Sequence, residues 1–138
     1  MIIESNIPEY FLAPCGVNCF NCYKHLLEKR NCHGCLSDDI NKPERCINCK
    51  IKKCTSERNI IYCFECDIYP CKDIKNLNKS YVKRYGVNIF ENSEIVKIKG
   101  IVGFMKIEKE RWTCHACNGV VNQHDGICSE CNLQRGDP

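Results

Sequence analysis

Cys46-Ile47-Asn48-Cys49-Lys50-Ile51-Lys52-Lys53-Cys54 recurs seventeen residues later as Cys63-Phe64-Glu65-Cys66-Asp67-Ile68-Tyr69-Pro70-Cys71. Both read C-x2-C-x-I-x2-C. Upstream lie a related triplet, Cys15-Gly16-Val17-Asn18-Cys19-Phe20-Asn21-Cys22, and a pair, Cys32-His33-Gly34-Cys35. Eleven cysteines thus fall within the fifty-seven residues from Cys15 to Cys71. Two cysteines separated by two residues can place both sulfurs on one tetrahedral ion. This density of soft donors marks a multi-metal protein.

Composition supports that reading. The apolar content of 43% includes 15 cysteines; without them it falls to roughly a third, thin for a free-standing core. Disulfides or metals must replace the missing buried area. A disulfide framework favours an even cysteine count behind a signal peptide. Here the count is odd, and Met1 to Tyr10 carries two acids and no basic leader. No stretch approaches the eighteen or so apolar residues of a membrane span. The expectation is a cytoplasmic, reduced chain that binds metals, without a membrane partner.

From the N-terminus, Ile2, Ile3, Tyr10, Phe11 and Leu12 form an extended lead-in that packs on the core. Gly16 suits a backbone bending sharply around an ion. Phe20, Tyr23, Leu26 and Leu27 recur at helical spacing, with Lys24, Glu28 and Lys29 opposite, which predicts a short helix over 20–30. Residues 31–55 read as loop held by ligands, because Gly34, Ser37-Asp38-Asp39 and Pro43 interrupt any period. Over 72–85, Ile74, Leu77, Tyr81 and Tyr85 form one stripe and Lys72, Lys75, Lys79 and Lys83 another, with Gly86 as the stop. Beyond it, Asn92-Ser93-Glu94 offers a helix start, and Ile95, Ile98, Val102 and Met105 share a face. Gly100 and Gly103 weaken that helix, and the alternation Val96-Lys97-Ile98-Lys99 permits a strand.

The tail has its own character. Cys114-x2-Cys117, an Asn118-Gly119 turn, Val120-Val121 and Cys128-x2-Cys131 make C-x2-C-x10-C-x2-C, the spacing of a zinc ribbon. Four thiolates close the coordination sphere, so this zinc is expected to be structural. Trp112 beside so small a core reads as packing.

The remaining ligands are Cys15, Cys19, Cys22, Cys32, Cys35, Cys46, Cys49, Cys54, Cys63, Cys66 and Cys71. Three tetrahedral sites want twelve donors, and His25 or His33 is available beside these eleven, although a bystander role suits either better. The spacing leaves the pairing open, because triplets can close on themselves or interleave. About three to four zinc ions are expected in all. Cys15-x3-Cys19-x2-Cys22 also matches the spacing with which radical S-adenosylmethionine enzymes hold a [4Fe–4S] cluster. Those enzymes need a barrel of about 200 residues, which this chain is too short to build. A [4Fe–4S] cluster at Cys15, Cys19 and Cys22 completed by a distant cysteine stays as the alternative cofactor.

This cysteine order, Cys15-Gly16-x2-Cys19-x2-Cys22, Cys32-x-Gly34-Cys35, Cys46-x2-Cys49-x4-Cys54 and Cys63-x2-Cys66-x2-Tyr69-Pro70-Cys71, resembles a family of small cysteine-rich bacterial and archaeal proteins classed as a domain of unknown function. Many members look to carry an Arg-Trp-x-Cys ribbon tail, here Arg111-Trp112-Thr113-Cys114. The resemblance implies a metal-binding, cytoplasmic protein and supplies no activity and no catalytic residues.

Charge sets the partner classes. The formal net is +3, and Lys50, Lys52 and Lys53 with the lysine stripe invite a nucleic-acid reading. Fifteen thiolates on four divalent ions turn that +3 into about −4, so only local lysine patches would attract phosphate. No Ser-His-Asp order, phosphate-binding glycine loop or acid pair points to catalysis, and a non-enzyme is favoured.

The expected protein is small, metal-stabilised α+β and helix-rich. It has a cysteine-knuckle domain over 1–90, a linking helix over 91–111 and a zinc ribbon over 112–138. Its expected role is a structural or interaction module with a protein or nucleic-acid partner. The alternative is an iron–sulfur electron carrier or redox sensor at the first triplet. A thiol enzyme or metal-trafficking protein using leftover cysteines is the third class.

Overall fold

The computed structural model describes residues 1–3, 6–27 and 29–135. Glu4 of the lead-in, Glu28 of the expected first helix and the last three residues of the 112–138 segment lie outside that range. The elements are α1 (Glu44–Ile47), α2 (Lys50–Glu57), α3 (Lys72–Tyr85) and α4 (Ile89–Arg111), with 3-10 turns at Glu9–Phe11, Cys19–Asn21 and Cys63–Glu65. Among the described residues β-structure is limited to isolated antiparallel bridges. None of the helices is long and apolar enough to cross a membrane.

The α3 stripe folds as its spacing predicts. Ile74 is fully buried, Leu77, Tyr81 and Tyr85 are partly buried, and the four lysines are exposed. Gly86 ends the helix in the left-handed region, φ 67°, where its missing Cβ removes the steric cost. Buried Asn78 accepts the backbone N–H of Ile89 at 2.7 Å, which fixes the turn into α4.

Three expectations fail for local reasons. Residues 20–27 and 29–30 form turns, not a helix. The Cys22 carbonyl receives the N–H groups of both His25 and Leu26, Cys32 N–H bonds Lys24 C=O, and Arg30 takes φ 53°. The chain folds back to present Cys32 and cannot propagate a helix. Within 31–55, α1 and α2 are helical where loop was expected. Pro43, with φ −58°, sets the entry to α1, and α2 runs through Cys54.

The third concerns α4. It starts at Ile89, capped by Asn88, whose side chain accepts from Phe90 and Glu91 N–H, so Asn92 and Ser93 are interior and buried. Gly100 (φ 76°, ψ 171°) kinks the helix and resets its register. Ile89, Val96, Phe104 and Met105 face inward, whereas Ile98 is 78% exposed and Val102 48%.

Three apolar clusters hold these pieces together. Ile7, Phe11 and Leu12 of the lead-in pack on Val96, Phe104 and Met105 of α4. Trp112, Cys114, Val121 and Cys128 of the tail pack on Val87, with Tyr81 and Tyr85 of α3 alongside. Ala13, Val17, Ile74 and Ile89 meet the thiols of Cys15, Cys19, Cys35, Cys63 and Cys71. In this last cluster sulfur replaces aliphatic surface, as the thin composition requires.

Candidate metal centres

All fifteen cysteines are free thiols. In the tail, the sulfurs of Cys114, Cys117, Cys128 and Cys131 lie within 4.8 Å of one another, the one such group among the described residues. The two halves repeat one local design. Asn118 N–H bonds Cys114 C=O and Asn132 N–H bonds Cys128 C=O, at 2.9 and 3.1 Å. Both asparagines adopt the left-handed conformation, φ 64° and 59°, which Asn tolerates better than other side chains. Each half also aims a backbone N–H at sulfur: Gly119 at Cys117 and Glu130 at Cys128, both at 3.4 Å. Gly119 has a steric role as well, since a Cβ there would lie 2.9 Å from the Cys128 sulfur.

Electrostatics in the tail fit a cation. Burial opposes ionisation of Cys128, but N–H groups of Cys131 and Glu130 and the thiols of Cys117 and Cys114 outweigh it and bring the group down to about 7. At Cys117 the Gly119 N–H favours the thiolate, yet the neighbouring thiols of Cys128, Cys131 and Cys114 hold it up at about 12. Four crowded soft donors are the set a divalent ion suits, because the ion offsets the repulsion among bound thiolates.

The N-terminal lobe brings its eleven cysteines together less tightly. Burial pushes Cys15 far up, and Cys35, Cys49 and Cys63 add to the effect. Burial also raises Cys22, with Cys46 and Cys32 as its thiol neighbours. Cys19 is raised by burial and then by Cys35, Cys15 and Cys22. Cys35 and Cys49 thus act on the Cys15 thiol, and Cys46 and Cys32 on that of Cys22. Cys54 lies elsewhere, on the same small cavity as Cys63, Cys66 and Cys71.

His25 is buried between Phe11 and Phe20, with ring centroids 4.6 and 5.2 Å away. Its Nδ1 lies 2.6 Å from the Cys32 carbonyl oxygen, so the ring props the loop that presents Cys32. His33 is exposed.

Several supporting residues escaped the sequence reading. Lys42 is buried, and its ammonium donates to the carbonyls of Cys35 and Ser37 at 3.0 and 2.7 Å and pairs with Asp39 at 3.2 Å. Glu108, 3% exposed, accepts from Asn18 Nδ2 and Trp112 Nε1 and pairs with Arg111. Gln123 donates to the Asn18 carbonyl at 2.7 Å. The bonds of Glu108 and Gln123 tie the loop carrying Cys15 to Cys22 to the tail. No sequence period flags them. The signal, visible in retrospect, is a polar residue on the continued apolar face of a helix, as Glu108 is four residues after Phe104.

A family model described as a protein of unknown function (DUF3795) matches residues 11–76, the stretch that holds all eleven lobe cysteines. The chain thus carries a cysteine-rich domain of unknown function, followed by a four-cysteine cluster with the geometry to hold a metal ion. Neither the curated proteins nor the solved structures hold a match to this chain.

Proposed function

We propose that the protein is a metal-organised interaction module whose tail is a zinc ribbon and whose ions are structural. The observation that carries this reading is the mutual approach of the four tail sulfurs to within 4.8 Å, with backbone N–H groups already aimed at two of them. Cys114, Cys117, Cys128 and Cys131 together fill a tetrahedral sphere, which leaves no position for a substrate or a reactive water. Bound zinc would supply cross-linking there and not Lewis-acid chemistry.

A partner surface follows from charge. A cavity of about 410 Å³ opens between the end of α3 and the tail, with Lys83, Arg84, Arg111 and Arg135 on its walls and Asp125 as the exposed acid. Burial disfavours the Arg135 cation, Arg111 disfavours it further, and its Nη1 is buried without a hydrogen-bond partner. Both guanidiniums lie over the Trp112 ring, 5.0 and 4.7 Å from its centroid. An acidic protein segment is the occupant this cleft suits.

The test of the reading is zinc counting on the full chain and on Cys114→Ser. The variant should lose one ion per chain and the backbone exchange protection of residues 112–135, with α3 still protected. Retention of every ion would contradict the ribbon. For the partner surface, Arg84→Glu should weaken cross-linking to acidic partners without changing the zinc count, and unchanged cross-linking would remove the cleft from the account.

A further inference from the structure

We propose that Cys54, Cys63, Cys66 and Cys71 form one metal site, which takes a single Zn2+-like ion and cuts across the sequence repeat. The proposal rests on the reading of the chain as metal-organised and adds a ligand set that the sequence left open.

Geometry carries the assignment. The four cysteines line one cavity of about 30 Å³, together with Thr55, Ile68 and Tyr69. Organic ligands occupy hundreds of cubic ångströms, so this space suits an ion and not a small-molecule substrate. Three rigid pieces present the thiols. Cys54 lies in α2 and Cys63 opens the 3-10 turn that Cys66 closes, with Cys66 N–H bonded to Cys63 C=O at 3.0 Å. Cys71 is the N-terminal cap residue of α3. The loop is anchored as well: Cys63 N–H donates to Pro14 C=O at 2.8 Å, and Tyr69 N–H to Cys66 C=O at 3.1 Å.

Charge agrees with the geometry. Arg58, one helical turn after Cys54, lines the same cavity, and the thiols of Cys54, Cys66 and Cys71 favour its cation. Four thiolates on a divalent ion carry two net negative charges, and a guanidinium alongside offsets part of that. The sulfurs stand further apart than in the tail, and the ion would draw them to the roughly 3.8 Å spacing that tetrahedral bonds of about 2.3 Å impose.

The consequence is that Cys54 leaves the triplet Cys46-x2-Cys49-x4-Cys54 and closes the site of the following one. The seven remaining lobe cysteines, Cys15, Cys19, Cys22, Cys32, Cys35, Cys46 and Cys49, are then left to the other ions. The two C-x2-C-x-I-x2-C units are alike in sequence and unlike in ligation.

The test is 113Cd–1H correlation spectroscopy on the full chain loaded with 113Cd. One cadmium resonance should correlate with the β-protons of Cys54, Cys63, Cys66 and Cys71 together. Correlation of Cys54 with Cys46 and Cys49 on one cadmium would overturn the pairing and leave the metal-organised reading standing. No cadmium resonance beyond that of the tail would overturn both. Metal counting gives an independent check that tolerates local unfolding. The double variant Cys54→Ser/Cys63→Ser should lose one ion, as either single variant does, whereas Cys54→Ser/Cys46→Ser should lose two. Equal losses from the two double variants would refute the pairing.

Discussion

In the tail four sulfurs come from the eighteen residues Cys114 to Cys131 and lie within 4.8 Å of one another. In the N-terminal lobe eleven come from fifty-seven residues and meet across separate turns and helices. The difference is one of contact order. A tail knuckle is closed by hydrogen bonds spanning three or four residues, such as Asn118 N–H to Cys114 C=O, so little chain has to be ordered for its ion to bind. A lobe site needs loops such as Cys15 to Cys49 closed first, at an entropic cost that ion binding must offset. The lobe should therefore give up its metal and its fold before the tail does.

Metal removal is the strongest way to break this comparison. A structural zinc in such a site contributes on the order of 10 kcal/mol to folding. A graded chelator titration should strip the lobe first, with exchange protection disappearing in α2 and the start of α3 before residues 112–135 are affected. Simultaneous loss in both regions, or loss in the tail first, would show that local closure does not protect the tail.

Gly16→Ala sharpens the lobe side. Gly16 sits at φ 102°, and a Cβ there would lie 2.9 Å from both Ile89 Cγ2 and Ser93 Oγ, while Asn92 Nδ2 donates to its carbonyl. The first cysteine loop is pressed onto α4 at this point. The variant should lose about 2–3 kcal/mol in denaturant unfolding, and a neutral result would mean that α4 is not fixed against the loop.

Glu108→Ala tests the seam between the two regions. Removing the carboxylate leaves the donors of Asn18 and Trp112 without their shared acceptor, a cost of about 2 kcal/mol. Indole N–H exchange at Trp112 should accelerate while the zinc count stays unchanged. An unaltered indole exchange rate would show that the seam is not held there.

A pH dependence is expected at the same seam. Burial, and secondarily Arg45, hold His124 down at about 4, and its Nδ1 accepts the Tyr23 N–H as a neutral ring. Unfolded, it titrates near 6.5. Between about 6.5 and 4 the unfolded chain binds a proton that the folded chain does not, so stability falls as pH drops through that window. His124→Phe should flatten this part of the profile relative to the parent chain. An identical slope in both would place the ring in solvent.

What the sequence made legible follows the same division. The α3 stripe and its Gly86 stop, the pairing of two C-x2-C knuckles in the tail and the packing role of Trp112 were readable because each is settled within a few residues. The failures lie where a turn, a kink or a distant contact overrides the local spacing. Phe20 to Leu27 has helical spacing, yet the chain must turn back to present Cys32. Ile98 and Val102 shared an apparent face with Met105 until Gly100 reset the register. Asn92 and Ser93 read as a helix start and are instead buried in α4 beside the first cysteine loop, as is Glu108, which no spacing marked. The repeat left the pairing open, and only the fold puts Cys54 on one cavity with Cys63, Cys66 and Cys71.

The measurement that bears most directly on the central claim is zinc content, an absorbance spectrum and a native thiol titration on protein purified without oxygen. About three to four zinc ions per chain, no visible colour and almost no reactive thiols are predicted. One zinc or none, with most of the fifteen thiols free to react, would contradict a metal-organised lobe. Iron with acid-labile sulfide and a brown colour would contradict the all-zinc account and move the first triplet to a redox role.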